Sequence, residues 1–419
     1  MLDRAFLRNE PDKVRTAASN KGEPCLIDEW LELDKNRRSL LSDIEALRRR
    51  RNELSKEVSS LKKEGKEADE QILESRETGA RLGSIEKELD TVDTRMSQLE
   101  LYFPNIPDPD VPIGNDETFN SIIETRGEKP SFGFVPRAHW DILGDLLDKE
   151  ASGSITGSNF ILLRGWAARL QRILINWMMD FHSSSGMEEI WMPFIANRES
   201  MTSTGQIPKL EDDMYHIEKD DLFLVPTGEV PLTNIYRDSI LQEKDLPVRL
   251  FGYSPCFRRE AGSYGKDTRG LNRVHQFEKV EMVRMVKPEN SEAALAEMTG
   301  HVGRMLELLN LPYRISLLAT GDLSFAAAKC YDLEVWAAGQ EKWLEVSSVS
   351  NFRDFQSRRS SIRYRPAGGG KPLHVHTLNG SGLALPRIMA ALIENGQTES
   401  GKIILPNVLA EIVGIKTLS

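Results

Sequence analysis

Residues 257–282 read FRREAGSYGKDTRGLNRVHQFEKVEM, and their pattern decides what kind of fold surrounds them. Apolar and polar residues alternate up to Phe257 and again from Gln276, and the segment between is rich in glycine and charge. That is a strand, a long polar loop and a returning strand. Arg258, Arg259, Lys266, Arg269 and Arg273 stand around the loop 261–271. A purely structural hairpin needs neither so many cations nor so long a connection. On the returning strand, Phe277, Lys279 and Glu281 share one face, because side chains alternate with period two. A ring beside a cation and a carboxylate suits a polyanion or nucleotide site better than a dry core. An exposed hairpin with incidental charge is the plainer reading.

The surrounding sequence continues in the same style. LFLVP, VRLFGYS, YRISLLA, YDLEVWA and WLEVSSVS have strand character, and helical segments at 164–182, 291–309 and 383–395 lie between them. Strands that neighbour in sequence, with helices grouped at the start, middle and end, indicate an α+β domain over 130–419 with a mostly antiparallel sheet. No GxGxxG and no GxxxxGK[ST] occurs, so the Rossmann and P-loop routes to nucleotide binding are unsupported.

Upstream the grammar changes. Leu26, Trp30, Leu33, Arg37, Leu40, Ile44, Leu47, Arg51, Leu54, Val58 and Leu61 are spaced alternately by four and three. After KKEGKEADE the spacing resumes with Leu82, Ile85, Leu89, Val92, Met96, Leu99 and Phe103. A seam of period 3.5 is what two long packed helices need, so 1–103 is expected to hold an antiparallel coiled-coil hairpin, roughly 50 Å long. FPNIPDPDVPIG cannot continue a helix, and 104–129 is expected to be a linker. Arg37, Arg38, Arg48, Arg49, Arg50, Arg51, Lys56, Lys62 and Lys63 crowd the outgoing helix. They read either as a solvated face or as an arm that tracks a phosphate backbone.

With 419 residues, two domains are the natural expectation, and the net charge of −10 argues mildly against indiscriminate nucleic-acid binding. The three cysteines form neither a CxxC pair nor a ligand cluster, so a disulfide framework and a structural zinc site are not expected. No apolar run reaches membrane-spanning length, and MLDRAFLRNEPDKVR lacks the marks of a leader; a cytoplasmic protein is expected.

Three further stretches can hold chemistry. In LNGSGLALPRIMAALIENGQ, 378–397, a glycine-rich turn leads into a helix that begins near Arg387, a good setting for phosphate oxygens or for an internal salt bridge. In PTGEVPLTN, 226–234, Thr227 and Glu229 precede a helix, which suits N-capping as well as a site. In LEVSSVSNF, 344–352, Glu345, Ser347 and Ser348 offer hard oxygens to a cation bridging phosphates. The broad apolar face of 164–182 (Trp166, Leu170, Ile173, Leu174, Trp177, Met178) is core by default and a subunit interface in the alternative.

In this order the stretches resemble the three signature motifs of class II aminoacyl-tRNA synthetases. The helix leading to Pro193 looks like motif 1, FRRE…FEKVE like motif 2, and GSGLALPR leading into LIENGQ like motif 3. STGQIPK, TGEVPLTN, AAKCYDLEVW, EVSSVSNFRDFQSRR and VHTLNGSGLA strengthen the likeness, and the N-terminal hairpin narrows it to the seryl-tRNA synthetase family over essentially the whole chain. The resemblance implies an enzyme that activates L-serine with ATP and Mg2+ and transfers it to tRNA(Ser), and to tRNA(Sec) where one exists, as a homodimer. It assigns Thr227, Gly228, Glu229, Glu281 and Ser381 to serine. Arg258 falls to the α-phosphate, Glu260 and Phe277 to adenine, Val274 to the ATP wall and Arg387 to the γ-phosphate, with Arg258 and Arg387 catalytic. Glu345 and Ser348 fall to the metal and ATP, and Arg259, Val346 and Ser347 complete the ATP set. Pro386 where glycine is commoner, and Gly228 where alanine is commoner, are the departures. An inactive paralogue acting as a binding protein is the rival reading, along with a ligase that loads carrier proteins. The first expects decayed ATP arginines and the second a missing arm, and neither feature is found in the sequence.

Overall fold

The computed structural model describes residues 1–260 and 269–419. They fall into two compact units: Leu2–Ser19 with Glu23–Pro104, and Asn105–Ser419 together with Met1 and Asn20–Gly22.

In the first unit, helices α1 (Ile27–Lys63) and α2 (Asp69–Glu100) are the two arms of the hairpin. At 37 residues, α1 is about 55 Å long. Asp28 and Glu29 in its first turn and Lys62 and Lys63 in its last suit the helix dipole. Arg37 donates to Asp93, Arg48 to Glu86 and Arg50 to Glu74. Rising numbers on one helix meet falling numbers on the other, which makes the pair antiparallel. Trp30, Leu40, Ile44, Leu54, Leu82, Val92, Met96, Leu99 and Phe103 bury the expected seam. Leu26 does not join it: the helix begins one residue later, so Ile27 is buried and Leu26 is 37% exposed. Arg51 is exposed as well.

The second unit is built on an eight-stranded sheet. In chain order its strands are β1 (Ser121–Arg126), β2 (Glu188–Glu189), β3 (Val248–Phe257), β4 (Gln276–Val286), β5 (Tyr313–Leu317), β6 (Lys329–Ala337), β7 (Lys342–Arg353) and β8 (His376–Ala384). Their spatial order is β1-β5-β6-β7-β8-β4-β3-β2, antiparallel except for the short edge pair β2–β3. Within 104–129, expected as a linker from its prolines, β1 forms an edge strand paired with β5.

Helices α3 (Gly165–Ser184), α4 (Glu229–Asn234), α5 (Ser291–Leu308) and α6 (Leu385–Asn395) accompany the sheet. Leu170, Leu174 and Met178 of α3, Met298, Val302 and Met305 of α5 and Ile388, Met389 and Leu392 of α6 form one core with Phe251, Val280 and Met282 of the sheet. The apolar face of α3 is therefore core, not free surface. Among the described residues, no helix is long and apolar enough to cross a membrane.

Candidate active site

Strand alternation builds the floor of the site. Phe277, Lys279 and Glu281 of β4 line one cavity of about 400 Å³, as their period-two spacing requires. On β7 the alternation fails and needs a cause. Glu345 and Ser348 are three apart, which in a regular strand puts them on opposite faces, yet both line the cavity. The pairing with β6 shifts at this point: Leu333 is opposite Ser347 and Glu334 is opposite Glu345, leaving Val346 as the extra residue of a bulge. The bulge turns Glu345 onto the face of Ser348. β8 is irregular too, with its register against β4 shifting between Ser381 and Ala384, and Asn379 and Ser381 line the cavity.

The carboxylates of the floor are buried and partnered. Glu281 is 1% exposed and forms an ion pair with Lys279. The Lys279 ammonium also donates to Thr227 Oγ1 at 2.8 Å, and that hydroxyl donates to Glu281 Oε2 at 3.2 Å. Thr227 Oγ1 also accepts from the Glu229 backbone N–H at 3.2 Å, at the start of α4. The N-cap position of α4 falls on Gly228, and Thr227, one residue earlier, holds the first N–H of the helix with a hydroxyl that also lines the cavity. Glu229 accepts from Gln356 Nε2 at 2.6 Å, and Thr377 donates to the Gln356 oxygen at 2.7 Å, which fixes the amide's orientation. Burial, and then the neighbouring Glu281 charge, push the Glu229 carboxyl up to about 7.

Cations and a ring form the walls. The Arg258 guanidinium lies 5.2 Å from the Phe277 ring centroid and donates to the Pro226 carbonyl at 3.3 Å. Arg273 pairs with Glu260 at 2.8 Å. Arg387, in the first turn of α6, donates to the Glu345 carboxylate at 3.0 Å, its carbonyl at 2.9 Å and the Asn272 carbonyl at 3.3 Å. Desolvation opposes ionisation of Glu345, but Arg387, together with Arg258 and Lys279, outweighs it and holds the carboxyl below its usual range.

Thr227, Glu229, Arg258, Glu260, Val274, Phe277, Glu281, Glu345, Ser348, Ser381 and Arg387 are brought together around this cavity. Four of the expected residues stand outside its lining. Arg259 turns away to the Met214 carbonyl and the Tyr215 ring. Val346 is fully buried at the bulge, and Ser347 is buried with its hydroxyl on the Ser381 carbonyl. Gly228 packs behind Glu281, where a Cβ would lie 2.9 Å from both Glu281 Cβ and Met192 Cε. Lys266 lies outside the described residues. Sequence reasoning missed Gln356, which reaches Glu229 from more than 100 positions away, and Thr377, which acts only through Gln356.

Known proteins match this chain over its whole length. Residues 1–107 match the model of the seryl-tRNA synthetase N-terminal domain, and residues 210–396 match that of the tRNA synthetase class II core domain (G, H, P, S and T). The serine–tRNA ligase of Bacillus cereus is 50% identical over 422 residues, covering 100% of both chains. The chain belongs to the seryl-tRNA synthetase family. Its activity is serine–tRNA ligation, and nothing favours the inactive paralogue. Among solved structures, seryl-tRNA synthetase from Pyrococcus horikoshii complexed with ATP superposes with a TM-score of 0.95 at 35% identity, covering 100% of this chain and 99% of that one. The cytoplasmic serine–tRNA ligase of Naegleria fowleri in complex with AMP gives 0.90 at 26% identity, covering 100% and 99%.

The raised Glu229 carboxyl has a consequence for stability. The folded protein holds this proton more tightly than the unfolded chain, whose carboxyl titrates near 4.5. The resulting stabilisation is complete below the unfolded value and is lost as pH rises through about 7. Relative to wild type, Glu229→Gln should therefore gain stability between pH 5 and pH 8, by on the order of 2 kcal/mol. Denaturant midpoints across that range measure it, and parallel pH profiles for the two proteins would contradict it.

Proposed function

We propose that the cavity carries out serine activation with the residues that line it. The observation that supports this reading is the pairing of a buried carboxylate floor with arginines on the walls of one cavity. Glu281 and Thr227 accept from the hydroxyl and ammonium of serine, and Ser381 closes that pocket. Glu229 supplies the second negative charge facing the ammonium. Phe277 stacks against adenine, with Glu260 and Val274 beside it. Arg258 holds the α-phosphate, and Arg387 exchanges its contacts with Glu345 for the γ-phosphate.

The serine carboxylate attacks the α-phosphorus in line, and pyrophosphate leaves with the electron pair of the broken P–O bond. The 3′-terminal ribose hydroxyl of tRNA then attacks the seryl carbonyl and AMP leaves. Such chemistry depends on positioned cations more than on a general base. Glu345 and Ser348 fit Mg2+ by donor chemistry, as two hard oxygens that line the same cavity, and would be the residues to hold it. Bound there, the ion supplies neutralisation of phosphate charge.

The remaining proposals concern partners and place. The hairpin binds tRNA(Ser), and tRNA(Sec) where present, by shape and backbone. Arg48 and Arg50 already pair with Glu86 and Glu74, whereas Arg49 and Arg51 have no such partner among the described residues. Phosphate contact therefore falls first to Arg49 and Arg51. The chain works in the cytoplasm as a homodimer. Because the apolar face of α3 is spent on the core, the two-fold contact uses exposed groups such as Trp191, which is 84% exposed.

Sedimentation at micromolar concentration should report twice the 47.3 kDa chain mass, and a concentration-independent monomer would contradict the dimer. Deleting residues 35–97 should leave serine-dependent ATP–pyrophosphate exchange within about twofold while cutting transfer to tRNA by at least about 100-fold. Arg49→Ala with Arg51→Ala should weaken tRNA binding and flatten its salt dependence by about one unit of slope per lost contact. Full-rate charging by the deletion variant would reduce the hairpin to a spacer.

A further inference from the structure

A chain of four groups behind the cavity ends on the strand that presents Ser381. The β7 partnership of β8 stops at Gly380, and its β4 register breaks between Ser381 and Ala384. Gly382 and Leu383 consequently have no register partner on either side. Two side chains take over where the ladder stops. Ser347 donates to the Ser381 carbonyl at 2.5 Å, and His182 Nε2 lies 2.8 Å from the Gly382 carbonyl. The approach of that ring is so close that a Cβ on residue 382 would lie 2.2 Å from Nε2.

His182 belongs to α3, and its Nδ1 lies 2.8 Å from Nε2 of His301 on α5. His301 Nδ1 in turn lies 3.3 Å from an Arg304 guanidinium nitrogen. The direction of the chain is fixed from both ends, because a guanidinium only donates and a carbonyl only accepts. Arg304 donates to His301 Nδ1, so the His301 proton is on Nε2 and points at His182 Nδ1. The His182 proton is then on Nε2 and points at Gly382. This order requires two neutral rings. Burial pushes His182 down to about 4, and burial with the adjoining His182, Arg304 and Arg284 pushes His301 down to about 3. Both rings are buried, and no residue of α3 or α5 lines the cavity.

We propose that His182, held in one tautomer by His301 and Arg304, is a positioning residue that aims the irregular end of β8, and with it Ser381, into the amino-acid end of the cavity. The proposal rests on the reading of that end as the serine pocket. A β-bulge re-aims a side chain at the cost of unpaired carbonyls, and here a ring from outside the sheet satisfies one of them. Gly382 is needed because only a residue without a side chain admits the ring this closely. The amino-acid site is thereby coupled to α3 and α5, through contacts that substrate never touches.

The test uses the full-length protein and ATP–pyrophosphate exchange with serine as the varied substrate. His182→Phe keeps the ring volume and removes the donor; it should raise the KM for serine by about tenfold and leave the KM for ATP within twofold. His182→Gln, whose amide can offer an N–H near the Nε2 position, should recover most of that loss. His301→Phe removes the tautomer lock without touching β8 and should raise the serine KM by about threefold; it keeps the proposal testable if His182→Phe does not fold. Histidine-selective 15N spectra of wild type should show both rings in the Nε2–H form. An unchanged serine KM in a folded His182→Phe or His301→Phe protein, or equal rises for serine and ATP, would overturn the proposal. Glu281→Ala serves as the control for the pocket itself: if that variant keeps serine-dependent exchange, the pocket reading has failed, whatever the histidine variants do.

Discussion

Glu229 and Glu281 are buried together at the floor of one cavity, and two nearby carboxylates in a low-dielectric setting repel each other unless something intervenes. The intervening groups define much of the architecture. Lys279, two residues from Glu281 on the same strand face, neutralises one charge. Thr227 bridges the pair, and Gln356 holds the other carboxylate from a helix over 120 positions further along the chain. Burial first, and the neighbouring Glu281 charge second, push the Glu229 carboxyl up to about 7. An incoming ammonium is the complement such a floor lacks. The same floor disfavours a ligand without a donor for Glu281, since a buried carboxylate left unpaired is costly.

The two irregular strands serve that floor. A regular β7 could not put Glu345 and Ser348 on one face, and a regular β8 would run its carbonyls into the ladder instead of ending beside α6. Each bulge changes the direction of one side chain and leaves backbone groups to be satisfied by other means. Ser347 and His182 meet that need on β8. Ser347, expected among the ATP residues, stands outside the cavity lining with its hydroxyl on the Ser381 carbonyl.

Much of this was legible in the sequence because it depends on local periodicity. The 3.5-residue seam gave the hairpin to within one residue at Leu26, and the period-two rule put Phe277, Lys279 and Glu281 together. The resemblance to class II motifs gathered Arg258, Arg387, Glu345 and Ser381 from distant positions. What stayed hidden depends on register and on long-range contact. β1 was hidden by the prolines before it, and the bulge at Val346 changes faces without changing composition. Gln356 reaches Glu229, and His182 reaches His301, across more than a hundred residues, where no sequence period reaches. The basic arm shows the same limit: composition counted nine cations, and only the folded hairpin separates Arg48 and Arg50, which face glutamates, from Arg49 and Arg51.

In the proposed function, Glu281 is the group that recognises serine. ATP–pyrophosphate exchange by Glu281→Ala, with ATP binding measured in parallel by calorimetry, tests this most directly. Serine-dependent exchange should fall by at least about 100-fold while ATP affinity stays within about threefold. Exchange at the wild-type rate, or loss of ATP binding in step with loss of exchange, would contradict it.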